Sequence, residues 1–337
     1  MVMRHRHIRG AFMLPSRRDA LAFCALVPAF SARAAAGYPS QAIRLIVPQP
    51  AGGGFDTVAR ILADRLAPRL GQAVVVENRQ RAGTIVGTQA AAQATADGYT
   101  LLLGGLSNIA LNPGLYPSLP YDPEKDFTPV GLAVSWSYTL IARKDLPQHD
   151  LAELIAFARA NPGRVTYASA GRGSGQHIAA AVTEHLAGVR ITHVPYRGAQ
   201  AAYQDLMGGR VDLFFDISST ARAQVEAGTV RALAVSSRQR QPFHPDVPSV
   251  AETGIADLDM ESWFGLFAPA ATAPAILERL RRELAAVLVL PDVEAAFART
   301  GGRVLRLGAE ETRAQIRGDI ERWTRLIRAA GLSEAAN

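Results

Sequence analysis

Three times in this chain an apolar run ends in small, flexible residues that open directly onto a helical pattern. The stretches are Pro50–Thr57, Gly83–Thr88 and Ser169–His177. Ahead of the first, Ile43-Arg44-Leu45-Ile46-Val47 reads as a buried strand, closed by Pro48 and Pro50. Behind it, Val58, Ile61, Leu62, Leu66 and Leu70 recur at helical spacing and stop at Gly71. Val74-Val75-Val76 and Thr100–Leu103 read as two more strands, with an alanine-rich helix around Gln89–Ala94 between them. The order repeats in the middle of the chain. A helix over Leu151–Ala160 stops at Asn161-Pro162-Gly163, and Val165–Ala168 is a strand leading into the third turn. A helix with Ile178, Ala181, Val182 and Leu186 on one face follows, then strands at Ile191–Pro195, Val211–Phe215 and Val230–Val235. Strand, crossover helix, strand predicts an α/β protein with a mainly parallel sheet and ligands beyond the carboxyl ends of the strands. Helices dominate from Thr272: Pro274–Leu288, Val293–Thr300 and Glu310–Ala330, the last with Ile316, Ile320, Trp323 and Ile327 on one stripe. Two α/β lobes with a ligand cleft between them fit this layout.

The chain is long enough for two lobes, with 337 residues against ~100–200 for an average domain. A formal net charge of +6 would suit a nucleic-acid binder, but its position argues otherwise. Residues 1–36 hold six arginines (Arg4, Arg6, Arg9, Arg17, Arg18, Arg33) and one acid, Asp19, leaving 30 basic and 29 acidic residues in the body. A nearly neutral body has no electrostatic footprint for DNA or RNA. The single cysteine, Cys24, lies in the same segment, which excludes disulfides, cysteine–zinc sites and cysteine nucleophiles from the rest.

Residues 1–36 read as a cleaved signal peptide. Basic residues ending at Arg17-Arg18 precede the apolar run Ala20–Phe30 and the small-residue stretch Ser31–Ala36. Both Ala32-Arg33-Ala34 and Ala34-Ala35-Ala36 suit a signal peptidase, and Met13 is an alternative start. Arg17-Arg18 with Leu21 shortly after leaves twin-arginine and general export both open. Phe23 stands where a lipobox requires a small residue, which argues against lipidation of Cys24. The apolar run is about half the ~20 residues that span a bilayer, and Pro28 interrupts it, so no permanent anchor is expected.

Each glycine-rich turn places a helix start where a ligand can approach. A helix start offers up to four unpaired N–H groups and roughly half a positive charge. Glycine lets a ligand come close to that backbone, so the turn suits a carboxylate or phosphate without needing a lysine. Other chemistries fit poorly. Gly171-x-Gly173-x-Gly175 approaches the dinucleotide fingerprint, but Gln176 occupies the last glycine position and no acid stands ~20 residues on. Ser174 and His177 lie three apart near a helix start, yet Arg172 breaks the Gly-x-Ser-x-Gly pattern, so Ser174 reads as a capping or ligand hydroxyl. The histidines His149, His177, His185, His193 and His244 are scattered without metal-ligand spacing. No enzyme activity, cofactor or metal is expected.

The run Pro48-Gln49-Pro50-Ala51-Gly52-Gly53-Gly54-Phe55-Asp56-Thr57-Val58-Ala59-Arg60 resembles the first-lobe loop of the Bug receptors. These are the TctC-type extracytoplasmic solute receptors of tripartite tricarboxylate transport systems. Further matches follow in order: Glu77-Asn78-Arg79, Asp97-Gly98-Tyr99-Thr100-Leu101, Asn112-Pro113, and Tyr121-Asp122-Pro123 with Asp126-Phe127. In the second half stand Ser169-Ala170-Gly171-x-Gly173-Ser174-x-x-His177, Val194-Pro195-Tyr196-Arg197-Gly198, Gly209-x-Val211-Asp212, Arg231–Val235 and Glu261–Pro269. The resemblance runs from Tyr38 to the C-terminus.

The resemblance implies a two-lobed periplasmic-binding-protein fold of type II, a Venus flytrap with two chain crossings near Leu140–Arg143 and Val235–Arg238. Residues 37–141 with 237–337 would form one lobe and 142–236 the other. It implies a monomeric periplasmic receptor for a small organic acid, handing it to membrane permease subunits or to a sensor. Carried over by position, the ligand residues are Ala51, Gly52, Gly53, Phe55, Asp56, Thr84, Val86, Ser107, Asn108, Ser169, Gly173, Ser174, His177 and Asp216. Arg172 fills a variable place, where it either pairs with a second carboxylate or points to solvent. Asp56 is open to two readings, ligand contact or helix cap. Trp136 and Tyr138 either stack on a ligand ring or pack in the hinge, Trp263 belongs to the core, and Gln49 replaces a frequent aromatic.

Overall fold

The computed structural model describes residues 37–80 and 84–333. The signal peptide expected over residues 1–36, and Gly83 of the second turn, lie outside them.

Ile43–Val47 (β1) buries four of its five side chains, as expected of a strand covered on both faces. It pairs in parallel with Val74–Asn78 (β2) on one side and Thr100–Gly105 (β3) on the other. The crossovers are helices Gly54–Leu70 (α1) and Ile85–Ala92 (α2). Helix α1 ends where Gly71 takes up φ +71° and returns its N–H to the Ala67 carbonyl, a turn that only glycine makes freely. Beyond β3 the chain winds through a wide π-type turn, Leu106–Leu111, into the short helix Asn112–Leu115 (α3).

The next strand, Phe127–Arg143 (β4), is 17 residues long and buried along nearly its whole length. The second half of the fold then follows: Leu151–Ala160 (α4), Thr166–Ser169 (β5), Gly175–Ala187 (α5), Thr192–Pro195 (β6), Ala199–Met207 (α6), Leu213–Ile217 (β7), Ser218–Glu226 (α7) and Val230–Val235 (β8). The chain returns through Glu261–Pro269 (β9) and ends with Pro274–Leu288 (α8), Pro291–Arg299 (α9), the two-residue Arg303–Val304 (β10) and Ala309–Ala329 (α10). The described strands make one continuous sheet whose halves have matching orders, β2-β1-β3-β9-β4 and β6-β5-β7-β4-β8.

Strand β4 belongs to both halves. From Phe127 to Ser137 it pairs with β9, and from Tyr138 onward with β7 and β8. The sheet is therefore mixed rather than mainly parallel. β1, β2 and β3 are parallel, as are β5, β6 and β7, but β9 and β4, which runs on from one half into the other, lie antiparallel to their neighbours. At the change of partner three buried serines tie the two connections together. Tyr138 N–H donates to Ser236 Oγ (2.8 Å), Ser236 N–H donates to Tyr138 O (2.8 Å), and Ser237 N–H donates to Ser137 Oγ (3.2 Å).

The strand β9 lies so close to β4 that Gly265 has no room for a side chain. A Cβ there would sit 2.4 Å from Gly131 O and 2.8 Å from Leu132 Cα. Gly265→Ala is expected to destabilise the fold by about 3 kcal/mol through overpacking against backbone. Gly318→Ala, on an exposed face of α10 with nothing within 4 Å, is expected to be neutral or up to about 1 kcal/mol stabilising. Equilibrium urea unfolding of the two variants checks both.

Candidate functional site

The first turn is held by a buried carboxylate. Ala51 and Gly52 are exposed, Gly53 is the N-cap of α1, and Gly52 takes φ +84°. Glycine at the cap has no side chain to spend on the first-turn amides, and none of them is capped by it. Asp56, one turn in, folds back on the loop. Its Oδ2 accepts from Gly52 N–H (2.9 Å) and Arg60 Nε (2.9 Å), and its Oδ1 from Arg60 (3.0 Å) and Asn78 Nδ2 (3.1 Å). Asn78 also donates to Gln49 O (3.1 Å). The Arg60 guanidinium, with the Gly52 amide and Asn78, holds the Asp56 carboxyl below the usual carboxylate range against the effect of burial. Four donors occupy this carboxylate, so it fixes the loop. Phe55 is buried edge-on against Phe264, ring centroids 4.8 Å apart.

The second turn stores strain. Among the described residues Thr84 is the one non-glycine with positive φ, +88°, where a β-branched side chain is crowded. A buried polar network imposes the conformation. Thr84 Oγ1 accepts from Asn112 Nδ2 (3.2 Å), and Thr84 O accepts from Thr88 Oγ1 (2.9 Å). Asn108 donates to Thr88 Oγ1 (2.9 Å) and accepts from Gly105 N–H (2.8 Å), while Tyr121 Oη donates to Asn108 O (2.7 Å). Asn108 is thus a fully buried scaffold residue, while Ser107 beside it is half-buried and Val86 exposed. A Cβ at Gly87 would lie 2.7 Å from Pro48 Cα, so the first and second turns meet backbone to backbone.

The third turn opens α5. Gly171 (φ +127°) and Gly173 (φ +74°) bend the chain, and Ser174 caps the helix by accepting from His177 N–H (3.3 Å) while donating to Gly171 O (2.7 Å). His177 returns the favour, its Nδ1 accepting from Gly173 N–H at 3.2 Å. Burial, then the neighbouring His193 and Arg172, push the His177 imidazole down to about 4. Ser169 is buried against the turn and Arg172 is exposed. Asp216, at the end of β7, is fully buried beneath the start of α5, accepting from Gln176 (3.3 Å), Tyr203 (2.8 Å) and Thr220; burial pushes its carboxyl up.

These turns come together around the change of partner in β4. A Cβ at Gly54, the first residue of α1, would lie 3.8 Å from Ile217 Cδ1. Ile217 pairs with Tyr138, and the Tyr138 hydroxyl lies against Gly175, the first residue of α5, leaving no space for a Cβ there. A Cβ at Gly173 would be 3.3 Å from Tyr116 Oη, just beyond α3. The helix starts of α1 and α5, from opposite halves, thus converge, and Ala51, Gly52, Gly53, Thr84, Val86, Ser107, Ser169, Arg172, Gly173, Ser174 and His177 stand on the turns around them. Asp56, Asn108 and Asp216 stand behind those turns. Trp136 packs against Phe264 and Phe297 and donates to Thr300 O (3.0 Å), and Trp263 is core, donating to Asp319 (2.8 Å). Tyr138, open between stacking on a ligand ring and packing in the hinge, is buried against the start of α5, while Ile217 and His193 were not singled out as site residues by the sequence. Among the described residues no three metal-ligating side chains gather.

Asp56→Asn is expected to destabilise the protein by about 1–3 kcal/mol at pH 7, since it leaves Arg60 without its charged partner. Because the folded carboxyl lies below its ordinary range, its stabilisation is present above the unfolded value and disappears as pH falls through the folded one. The gap between wild type and variant should therefore close below pH ~4 in chemical unfolding curves.

Residues 58–332 match the family described as "Tripartite tricarboxylate transporter family receptor". The periplasmic binding protein BugD has a similar structure, with a TM-score of 0.79 and 34% identity over 88% of this chain and 100% of that one. Rpa4515 of R. palustris, solved with adipate, gives 0.81 and 32% over 88% and 99%. MatC of Rhodopseudomonas palustris, with bound malate, gives 0.79 and 32% over 86% and 100%. The two halves of the sheet are accordingly the lobes of a periplasmic-binding-protein fold. Among the described residues no helix is long and apolar enough to cross a membrane. From the match over residues 58–332 and the shared two-lobed fold, the chain belongs to the tripartite tricarboxylate transporter receptor family, the Bug/TctC-type extracytoplasmic solute-binding receptors, which are not enzymes.

Proposed function

We propose that this receptor captures a small organic acid between its lobes and delivers it to the membrane subunits of a tripartite tricarboxylate-type transporter. The observation that carries the reading is the convergence of the α1 and α5 starts on the paired residues Ile217 and Tyr138. Two helix starts from opposite lobes supply amides and partial positive charge to one place, which suits a carboxylate. In α5 the amides of Ser174 and His177 are used inside the turn and that of Gly173 by His177, so Gly175 and Gln176 offer the open donors. In the first lobe the donors come from Gly53 to Phe55 and from the turn at Thr84–Val86, with Ser107 beside them. Asp56, Asn108 and Asp216 act by holding these turns, and Arg172, exposed on the third turn, is the side chain we assign to a second carboxylate.

Lobe 1 comprises residues 37–141 and 237–337 and lobe 2 residues 142–236; the new partners of β4 from Tyr138 and the serine contacts at Ser236 support crossings in this neighbourhood. Only a closed arrangement brings both sets of donors onto one ligand, so binding draws the population toward closure, the form offered to the permease. The acids held by the similar proteins Rpa4515 and MatC favour a dicarboxylate.

A thermal-shift screen against mono-, di- and tricarboxylic and aromatic acids tests the reading. An acid at 100 times its dissociation constant should add ~2.7 kcal/mol, and the shift should be confined to one acid class. No shift with any acid, in protein shown free of carried-over ligand, would overturn it. Expressed from the full gene, the protein recovered from the periplasm should have lost about the first 36 residues by intact mass, consistent with a signal of ordinary length.

A further inference from the structure

Behind the third turn stand three near-parallel rings that the capture chemistry above leaves unused. Tyr167 of β5 and His193 of β6 are partners in the parallel ladder, with ring centroids 4.8 Å apart and planes 18° apart. His193 also stacks on His177 of α5, centroids 4.2 Å apart and planes at 24°. On its edge, His193 Nε2 lies 2.7 Å from Ser169 Oγ. The same hydroxyl bridges the turn, donating to Gly171 O (3.1 Å) and accepting from Gly171 N–H (3.2 Å).

We infer that His193 is a positioning residue for the ligand turn, acting through the Ser169 hydroxyl and the His177 ring. A serine has one hydrogen to give. It reaches Gly171 O when His193 Nε2 carries a hydrogen of its own and donates to the serine; in the other tautomer the serine hydrogen goes to His193 and Gly171 O keeps only its bonds from the Ser174 amide and hydroxyl. The stacked face of His193 meanwhile holds the His177 ring, whose Nδ1 accepts from Gly173 N–H. Both glycines that bend the turn are thus fixed through one imidazole on the neighbouring strand.

The arrangement requires neutral rings. A proton on His177 Nδ1 would face the Gly173 N–H, and two charged imidazoles at stacking distance would repel. Burial and the Arg172 cation push His193 down to about 4, as burial, His193 and Arg172 do for His177. The other charged group near the rings is Glu184 of α5, which acts on Tyr167 and is itself faced by Arg190. With both folded values below the ordinary histidine value, the turn keeps its geometry at neutral pH and loses it as pH falls toward about 4.

The inference rests on the reading that the third turn contacts the ligand, and the test separates the two. Amide NMR of the ligand-free protein follows Gly171 and Gly173 while the histidine ring signals are titrated. In wild type the Gly173 amide should titrate together with His177. In His193→Phe, which keeps a stacked ring but loses the bond to Ser169, the Gly171 amide should move at pH 7 while the Gly173 amide stays near its wild-type position, and the His177 midpoint should rise because its neighbour no longer becomes charged. His193→Gln, which can still reach the serine, should bring the Gly171 amide back toward its wild-type position, and it serves if the phenylalanine variant does not fold. Malate and adipate affinities measured alongside should fall about tenfold in His193→Phe with the melting temperature little changed. Glycine amides that ignore both the substitution and the histidine titration would overturn the inference, as would equal affinities in variant and wild type. Responsive amides in a protein that binds neither acid would uphold the positioning role and count against the carboxylate reading instead.

Discussion

One strand, β4, supplies backbone hydrogen bonds to both halves of the protein. Its first eleven residues complete the β9 ladder, and its remainder lies between β7 and β8. The halves are therefore joined by continuous, buried main chain. At the change of partner the ladder is replaced by bonds between serine hydroxyls and backbone: Ser236 Oγ accepts from Tyr138 N–H and donates to Met260 O. A hydroxyl turns about its own bond, so such links tolerate a change of angle better than a rigid ladder does. Tyr138 leaves this same point with its side chain buried against the start of α5.

The turns show how a surface made of backbone, the one proposed to bind the acid, is kept in shape. Amides at a helix start cannot choose their own rotamer, so their direction is set by whatever fixes the loop before them. Each turn is fixed by a buried polar side chain a short way downstream or underneath. Asp56 ties the first, Asn108 and Asn112 the second, and Asp216 the helix that follows the third. Burying such groups is tolerable only because each finds several partners. They are as necessary to the shape of these turns as the amides themselves.

Much of the architecture was legible where the chain is punctuated. Helices Leu151–Ala160 and Pro274–Leu288 begin and end where capping residues and prolines place them, and β1 lies between a polar stretch and Pro48. β4 and β9 were not readable as strands. Buried on both faces, they show no alternation, and Pro129 and Gly131 interrupt β4 where its register with β9 shifts. β7 begins at Leu213 rather than Val211 because its pairing with β4 sets its limits. The glycine turns were visible as motifs, but the residues that hold them were not. Asp56 was open between contact and cap, and its clamp depends on Asn78, 22 residues away. His193 meets Ser169 across 24 residues, a pairing that no local pattern records.

The strained Thr84 carries a different consequence. Glycine would occupy φ +88° at no steric penalty, so threonine there forgoes stability that a single substitution could recover. What the threonine adds is a methyl and hydroxyl locked by Asn112, which removes the freedom a glycine hinge would have. Stability has been exchanged for stiffness at this turn. In the function proposed above such a turn would separate acids of similar charge by shape, because an ill-fitting ligand meets a wall that does not yield.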